Sequence, residues 1–261
     1  MTSWHDDPAE VERAKALAAG DAGRAIVRIS LEYCQPILFG DPANHKPVQS
    51  IRTASATLVT IGSLKIAVTC AHVFRAYSRL REATEDRKVI FQVGNVSFDP
   101  LERLLDVDDA LDIASFDLAD LNHTKAGVRG GPLTFHEPTV WPPNPVVPGD
   151  FVSLSGFPGA WKDVYPGGKV EHDTFSVGPQ EVTSVSEGRI ACVFERGNWV
   201  QSSGTRGVDL KELGGMSGGP VFILRRLHWE LAGIITDFSE SFDLLYAAPA
   251  RRLAYNGRIE P

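Results

Sequence analysis

Three short runs of this chain hold the residue types that acyl transfer needs. Ser217 stands in Gly214-Gly-Met-Ser217-Gly-Gly-Pro220, a glycine-rich turn directly before an apolar stretch; His72 closes Val68-Thr-Cys-Ala-His72; Asp112 opens Leu111-Asp112-Ile-Ala-Ser-Phe116. A serine hydroxyl is a weak nucleophile until a base takes its proton, and an imidazole serves as that base when a carboxylate fixes its tautomer and orientation. Backbone N–H groups must also converge on the developing oxyanion, and Gly215, free to adopt positive φ, is suited to aim one there beside the N–H of Ser217. Each residue alone has a plainer reading. A serine can sit in a glycine turn for backbone geometry, a histidine can be a satisfied core residue, and Asp112 has Asp106, Asp108, Asp109 and Asp117 as neighbours in an acidic loop. The joint occurrence, with Asp112 alone entering an apolar run, selects the chemical reading. Cys70 reads as a buried thiol within a strand pattern, and His5, His45, His123, His136, His172 and His228 show no metal-ligand spacing.

The elements that must position these residues read mostly as short strands. Val27, Ile29, Leu31 and Tyr33 alternate with polar residues, the period-2 pattern of a half-buried strand. Further strand-like runs cover 56–61, 64–69, 89–93, 96–98 and 113–116, with Gly62-Ser63 and Gly94-Asn95 suited to hairpin turns. A second set covers 151–155, 181–185, 189–194, 199–202, 220–224 and 231–236. Between the sets lies a proline-rich stretch from Trp141 to Asp150, which cannot join a central sheet because proline lacks the N–H. Helix punctuation at Asp7, Pro8, Glu10 and Gly20 predicts a short N-terminal helix, and the tail from Pro249 to Tyr255 is suited to a closing one. The expected organisation is a helical extension over 1–22, a first β unit over 23–135, a connector over 136–150 and a second β unit over 151–261.

Bulk properties bound the rest. The chain has 261 residues, 43% of them apolar, enough to bury a core, and 26 Lys+Arg against 33 Asp+Glu give a formal charge of -7. No long basic block offsets that balance, so a nucleic-acid partner is not expected. No apolar run of membrane-spanning length and no leader pattern is found, and three widely spaced cysteines, Cys34, Cys70 and Cys192, predict neither a disulfide framework nor a zinc site. The expected setting is cytoplasmic, without a membrane partner.

Taken in their order, the three motifs resemble the His, Asp and Ser motifs of trypsin-like and chymotrypsin-like peptidases of the bacterial type, over roughly residues 25 to 255. The resemblance implies an all-β fold of two six-stranded antiparallel barrels, with His72 and Asp112 from the first, Ser217 from the second, and the oxyanion held by the Gly215 and Ser217 amides. It implies a serine endopeptidase without a cofactor, acting on a polypeptide. It places Thr236, Asp237 and Phe238 on the strand that receives the substrate backbone, and the base of the primary pocket near Lys211, where a lysine points to acidic or unusual substrate side chains. Met216 stands where zymogens of this family carry the aspartate that pairs with a freed N-terminus, so a different device must order the oxyanion loop. That departure motivates an alternative: a latent or non-catalytic module that binds peptides and depends on a protein activator. Gly215-Met-Ser217-Gly-Gly219 also fits the nucleophile elbow of α/β-hydrolases, but that fold needs its acid and histidine after the serine and alternates strands with long helices, which this chain does not.

Overall fold

The structure, a computed structural model, describes residues 16, 20–41, 51–84, 89–121, 131–165, 169–194, 213–226 and 228–260. The expected helix over 7–20 and strand over 199–202 fall almost entirely outside these residues, as does Lys211.

The N-terminal half is built on one seven-stranded antiparallel sheet. Its strands are β1 (Cys34–Gly40), β2 (Arg52–Ile61), β3 (Leu64–Thr69), β4 (Ile90–Val93), β5 (Val96–Ser97), β6 (Leu104–Asp108) and β7 (Ile113–Asp117), in the order β5-β4-β1-β2-β3-β7-β6. The turns at Gly62 and Gly94 take φ of +63° and +57°, as their hairpins require. The sheet curls around an apolar core of Ile37, Leu58, Tyr77, Phe91 and Val93. The C-terminal half closes a six-stranded barrel from β8 (Phe151–Gly156), β11 (Phe175–Val185), β12 (Ile190–Val193), β13 (Pro220–Arg225), β14 (His228–Ser239) and β15 (Leu244–Pro249), with a small hairpin, β9 (Lys162–Val164) and β10 (Val170–His172), between β8 and β11. A curled half-barrel sheet and a closed barrel make a chymotrypsin-like double-barrel fold; the first unit carries seven strands where six were expected.

The two halves are fused by a third apolar cluster. Val59, Ile61, Ile66, Val68 and Ile113 of the first sheet pack directly on Phe222, Leu231, Ile234 and Ala248 of the barrel, with Trp141 at the edge. Burying such side chains on both sides stabilises by roughly 1.5 to 3 kcal/mol each, so the cleft between the halves has rigid walls. The proline-rich connector holds no strand, and Trp141 anchors it by donating from Nε1 to the Leu253 carbonyl at 2.8 Å.

Two helices depart from the strand reading. The run with alternating Val27, Ile29, Leu31 and Tyr33 forms α1 (Asp21–Glu32), which packs on β8 and β11. Gly23 and Ser30, seven residues apart, are both buried, the spacing of a helix face, and the Ser30 hydroxyl contacts that of Ser155 on β8. α2 (Ala71–Ala83) starts directly at the end of β3 and buries Ala71, Val73, Phe74 and Tyr77. A short turn of helix, α3 (Pro100–Arg103), precedes β6. All three cysteines are free and buried. Among the described residues no helix is long and apolar enough to cross a membrane.

Candidate active site

His72 is the second residue of α2, and its placement follows from what that helix lacks. Cys70 at the cap position accepts no N–H of the helix with its side chain, so the first N–H groups need another acceptor. Asp112, at the entry to β7, supplies it: Oδ1 accepts from the His72 N–H at 2.9 Å. Its second oxygen, Oδ2, lies 2.7 Å from the ring Nδ1 of His72. Asp112 reaches both atoms from a left-handed backbone, φ +54°, which aspartate tolerates better than most residues. With Nδ1–H directed at the carboxylate, Nε2 is left as the accepting nitrogen, the form a general base requires. The His72 side chain is half exposed, open to an incoming substrate.

Ser217 lies across the cleft in the turn before β13. Its Oγ donates to the Thr236 carbonyl at 3.5 Å, a long bond, and makes none to His72. Thr236 is the extra residue of a bulge between Ile235 and Asp237 in the β14–β15 ladder. Gly215 has φ +106° and Gly218 φ +91°, and a Cβ at Gly218 would come 2.0 Å from the Ser55 carbonyl, so these two positions require glycine.

Peptide orientations in this turn follow from its carbonyls. The Gly214 oxygen accepts from the Gly159 N–H at 2.6 Å and the Met216 oxygen from the Gly219 N–H at 2.9 Å. In a trans peptide the following N–H points the opposite way. The N–H groups of Gly215 and Ser217 are therefore turned from those partners, and neither meets an acceptor among the described residues.

Cys70 sits beneath the pair. Burial, and then the nearby Asp112 charge, hold its thiol well above the usual cysteine range, and its Sγ donates to the Ile235 carbonyl at 3.1 Å. Donor atoms of Cys70, His72 and Asp112 lie within 4.8 Å of one another, a spacing that could hold a cation. Both Asp112 oxygens are spent on His72, and the Cys70 thiol already donates to the Ile235 carbonyl. The set is suited to handling a proton.

Beside Ser217 a cavity of about 240 Å³ is lined by Phe194, Leu213, Met216, Ile235, Phe238 and Leu245, with Asp237 exposed at its mouth. The Phe238 ring turns inward to an edge contact with Phe194 at 5.4 Å. Sequence reasoning named Phe238 but not Phe194 or Leu245; no motif marks them, since they converge only when β12 and β15 pair. Ser55, which contacts the turn from β2, was also missed.

The geometry and the sequence comparison agree on one class. The family model of the trypsin-like peptidase domain matches residues 54–234, and the chain belongs to that family. No curated protein sequence matches it. Among solved structures it is similar to a thermostable serine protease, AL20, from an extremophilic microorganism, at 12% identity and a TM-score of 0.42, covering 84% of this chain and 91% of the other.

Proposed function

We propose that this chain is a serine endopeptidase with His72, Asp112 and Ser217 as its triad. The observation that carries the reading is the double hold of Asp112 on His72, which leaves Nε2 as the accepting nitrogen, the one a general base uses. In acylation His72 Nε2 takes the Ser217 proton as Oγ bonds to the scissile carbonyl carbon, and the Gly215 and Ser217 amides receive the oxyanion. The proton then passes to the departing amine as the C–N bond breaks, and water repeats the sequence to release the acid. The substrate strand lies along residues 236–238 of β14, whose pairing with β13 ends at Ile234, so that edge has no strand partner among the described residues. The cavity walls fit an apolar or small side chain; Lys211 lies outside the described residues. No cofactor enters the scheme.

The Ser217 bond to Thr236 in place of His72 favours a second reading, a peptide-binding module whose chemistry waits for an activator. Free serine hydrolases also hold long serine–histidine geometry that tightens on substrate, so the catalytic reading stands first. Fluorescent casein incubated with purified chain separates the two. Cleavage that Ser217→Ala and His72→Ala abolish supports the peptidase; intact casein with measurable binding supports the module.

A further inference from the structure

The turn that carries Ser217 has no charged side chain between Leu213 and Pro220, so no ion pair of its own orders it. Met216, the one large side chain within it, is buried in the barrel core. Glycine at 215 lets the peptide units on either side rotate at little steric cost, so the oxyanion site needs tethers. Gly159 N–H fixes the unit before Gly215. The unit after it is held from the other half of the molecule: Ser55 Oγ donates to the Gly215 carbonyl at 2.8 Å.

Ser55 is fully buried, and each of its polar atoms has a hydrogen-bond partner. Its Oγ also accepts from Phe157 N–H at 2.9 Å, its N–H donates to the Ser217 carbonyl at 2.9 Å, and its carbonyl accepts from Thr69 Oγ1 at 2.7 Å. Thr57, two residues along the same face of β2, donates its hydroxyl to the Gly218 carbonyl at 2.8 Å. With Gly159 and Gly219, these residues satisfy all five carbonyls from Gly214 to Gly218.

We propose that Ser55 is a positioning residue that keeps the oxyanion site formed in the free chain, so that the peptidase needs neither an activating partner nor an activating cleavage. The inference rests on the peptidase reading of the same site. Without the Ser55 hydroxyl, the part-buried Gly215 carbonyl and the buried Phe157 N–H lose their partner, and rotation of the peptides around Gly215 relieves that cost at the expense of the oxyanion site. Only the fraction of molecules with the site formed would then turn over substrate.

Ser55→Ala tests this with three readings. The expected results are a kcat about 10 to 100 times lower with KM within about threefold, since one oxyanion donor is worth that order or more; affinity for a peptide boronate, which places an anionic oxygen in the site, weakened by the same factor; and amide exchange of Met216 and Gly219 at least about tenfold faster than in wild type. Ser55→Cys, which fills the same space with a weaker donor, should fall between the two, and it decides the matter by the same readings if Ser55→Ala does not fold. Unchanged kcat, boronate affinity and exchange in a folded variant would overturn the role. Exchange is read on the folded chain whether or not it cuts, so an inert wild type with fast exchange only in the variant would retire the peptidase reading and leave the tether standing.

Discussion

The carboxylate of Asp112 holds His72 at two points, one oxygen on the backbone N–H in the first turn of α2 and the other on the ring. One group thus caps a helix that lacks its own cap, places negative charge at that helix's N-terminus, and selects the histidine tautomer. Fold and chemistry share the contact, so a substitution there should separate the two effects.

Asp112→Asn retains an oxygen for the backbone N–H but cannot serve the ring in the same way. We expect a loss of about 10³ to 10⁴ in kcat, on the scale of the same substitution in the serine protease triad, with no more than about 1 kcal/mol of stability lost. Parallel kinetics and thermal unfolding check this; equal activity in the variant would remove Asp112 from the triad.

Gly218→Ala should be far worse than Gly62→Ala, although both glycines have positive φ. A Cβ at Gly62 meets nothing within 4 Å, whereas at Gly218 it meets the Ser55 carbonyl at 2.0 Å. The expected cost is about 1 kcal/mol at Gly62, from backbone strain alone. At Gly218 it is at least about 3 kcal/mol, or a displaced Ser217. Denaturant unfolding of the two variants makes the comparison.

The folded chain should weaken in mild acid. His136 is buried against Tyr33 and Phe222, its Nε2 has no hydrogen-bond partner among the described residues, and burial lowers its pKa from 6.5 to about 4. The unfolded chain therefore binds a proton that the folded one refuses. Above pH 6.5 the group adds no pH dependence; from 6.5 down to about 4 it costs stability, about 2 kcal/mol by pH 5. His172, its pKa also lowered to about 4 by burial and by Lys162, acts in the same direction. Urea midpoints at pH 7 and pH 5 should show the drop, and His136→Phe should reduce it; an equal drop in that variant would assign it elsewhere.

Iodoacetamide should leave activity intact. Cys70 lies close to His72, but its buried thiol is held far from its reactive form, and Cys34 and Cys192 are raised by burial, the latter to about 12. Inactivation matched by alkylation of Cys70 would transfer the nucleophile from Ser217 to the thiol.

The three candidate residues stood out in the sequence because each lies within three residues of a strand whose apolar run is plain: β3 spans Leu64–Thr69, as its sequence predicts, and β7 and β13 begin where Ile113 and Pro220 do. The misses have local causes. α1 read as a strand because Val27, Ile29, Leu31 and Tyr33 happen to alternate, while its burial follows helical spacing. β1 carries Pro36 in its interior, a residue that argues against a strand, and β6 is hidden in an acidic run, Leu104-Leu-Asp-Val-Asp108. Ser55 could not be found from sequence, since nothing in Thr53-Ala-Ser-Ala-Thr57 signals that its partners lie roughly 100 to 160 residues away.

The central claim, that Ser217 is activated by His72, is tested most directly with a fluorophosphonate probe, which acts on an activated serine, applied to the wild type, Ser217→Ala and His72→Ala. The account predicts stoichiometric labelling of the wild type on Ser217 and loss of labelling in both variants while each remains folded. Equal labelling of His72→Ala, or none of the wild type in the presence and absence of cell extract, would contradict it.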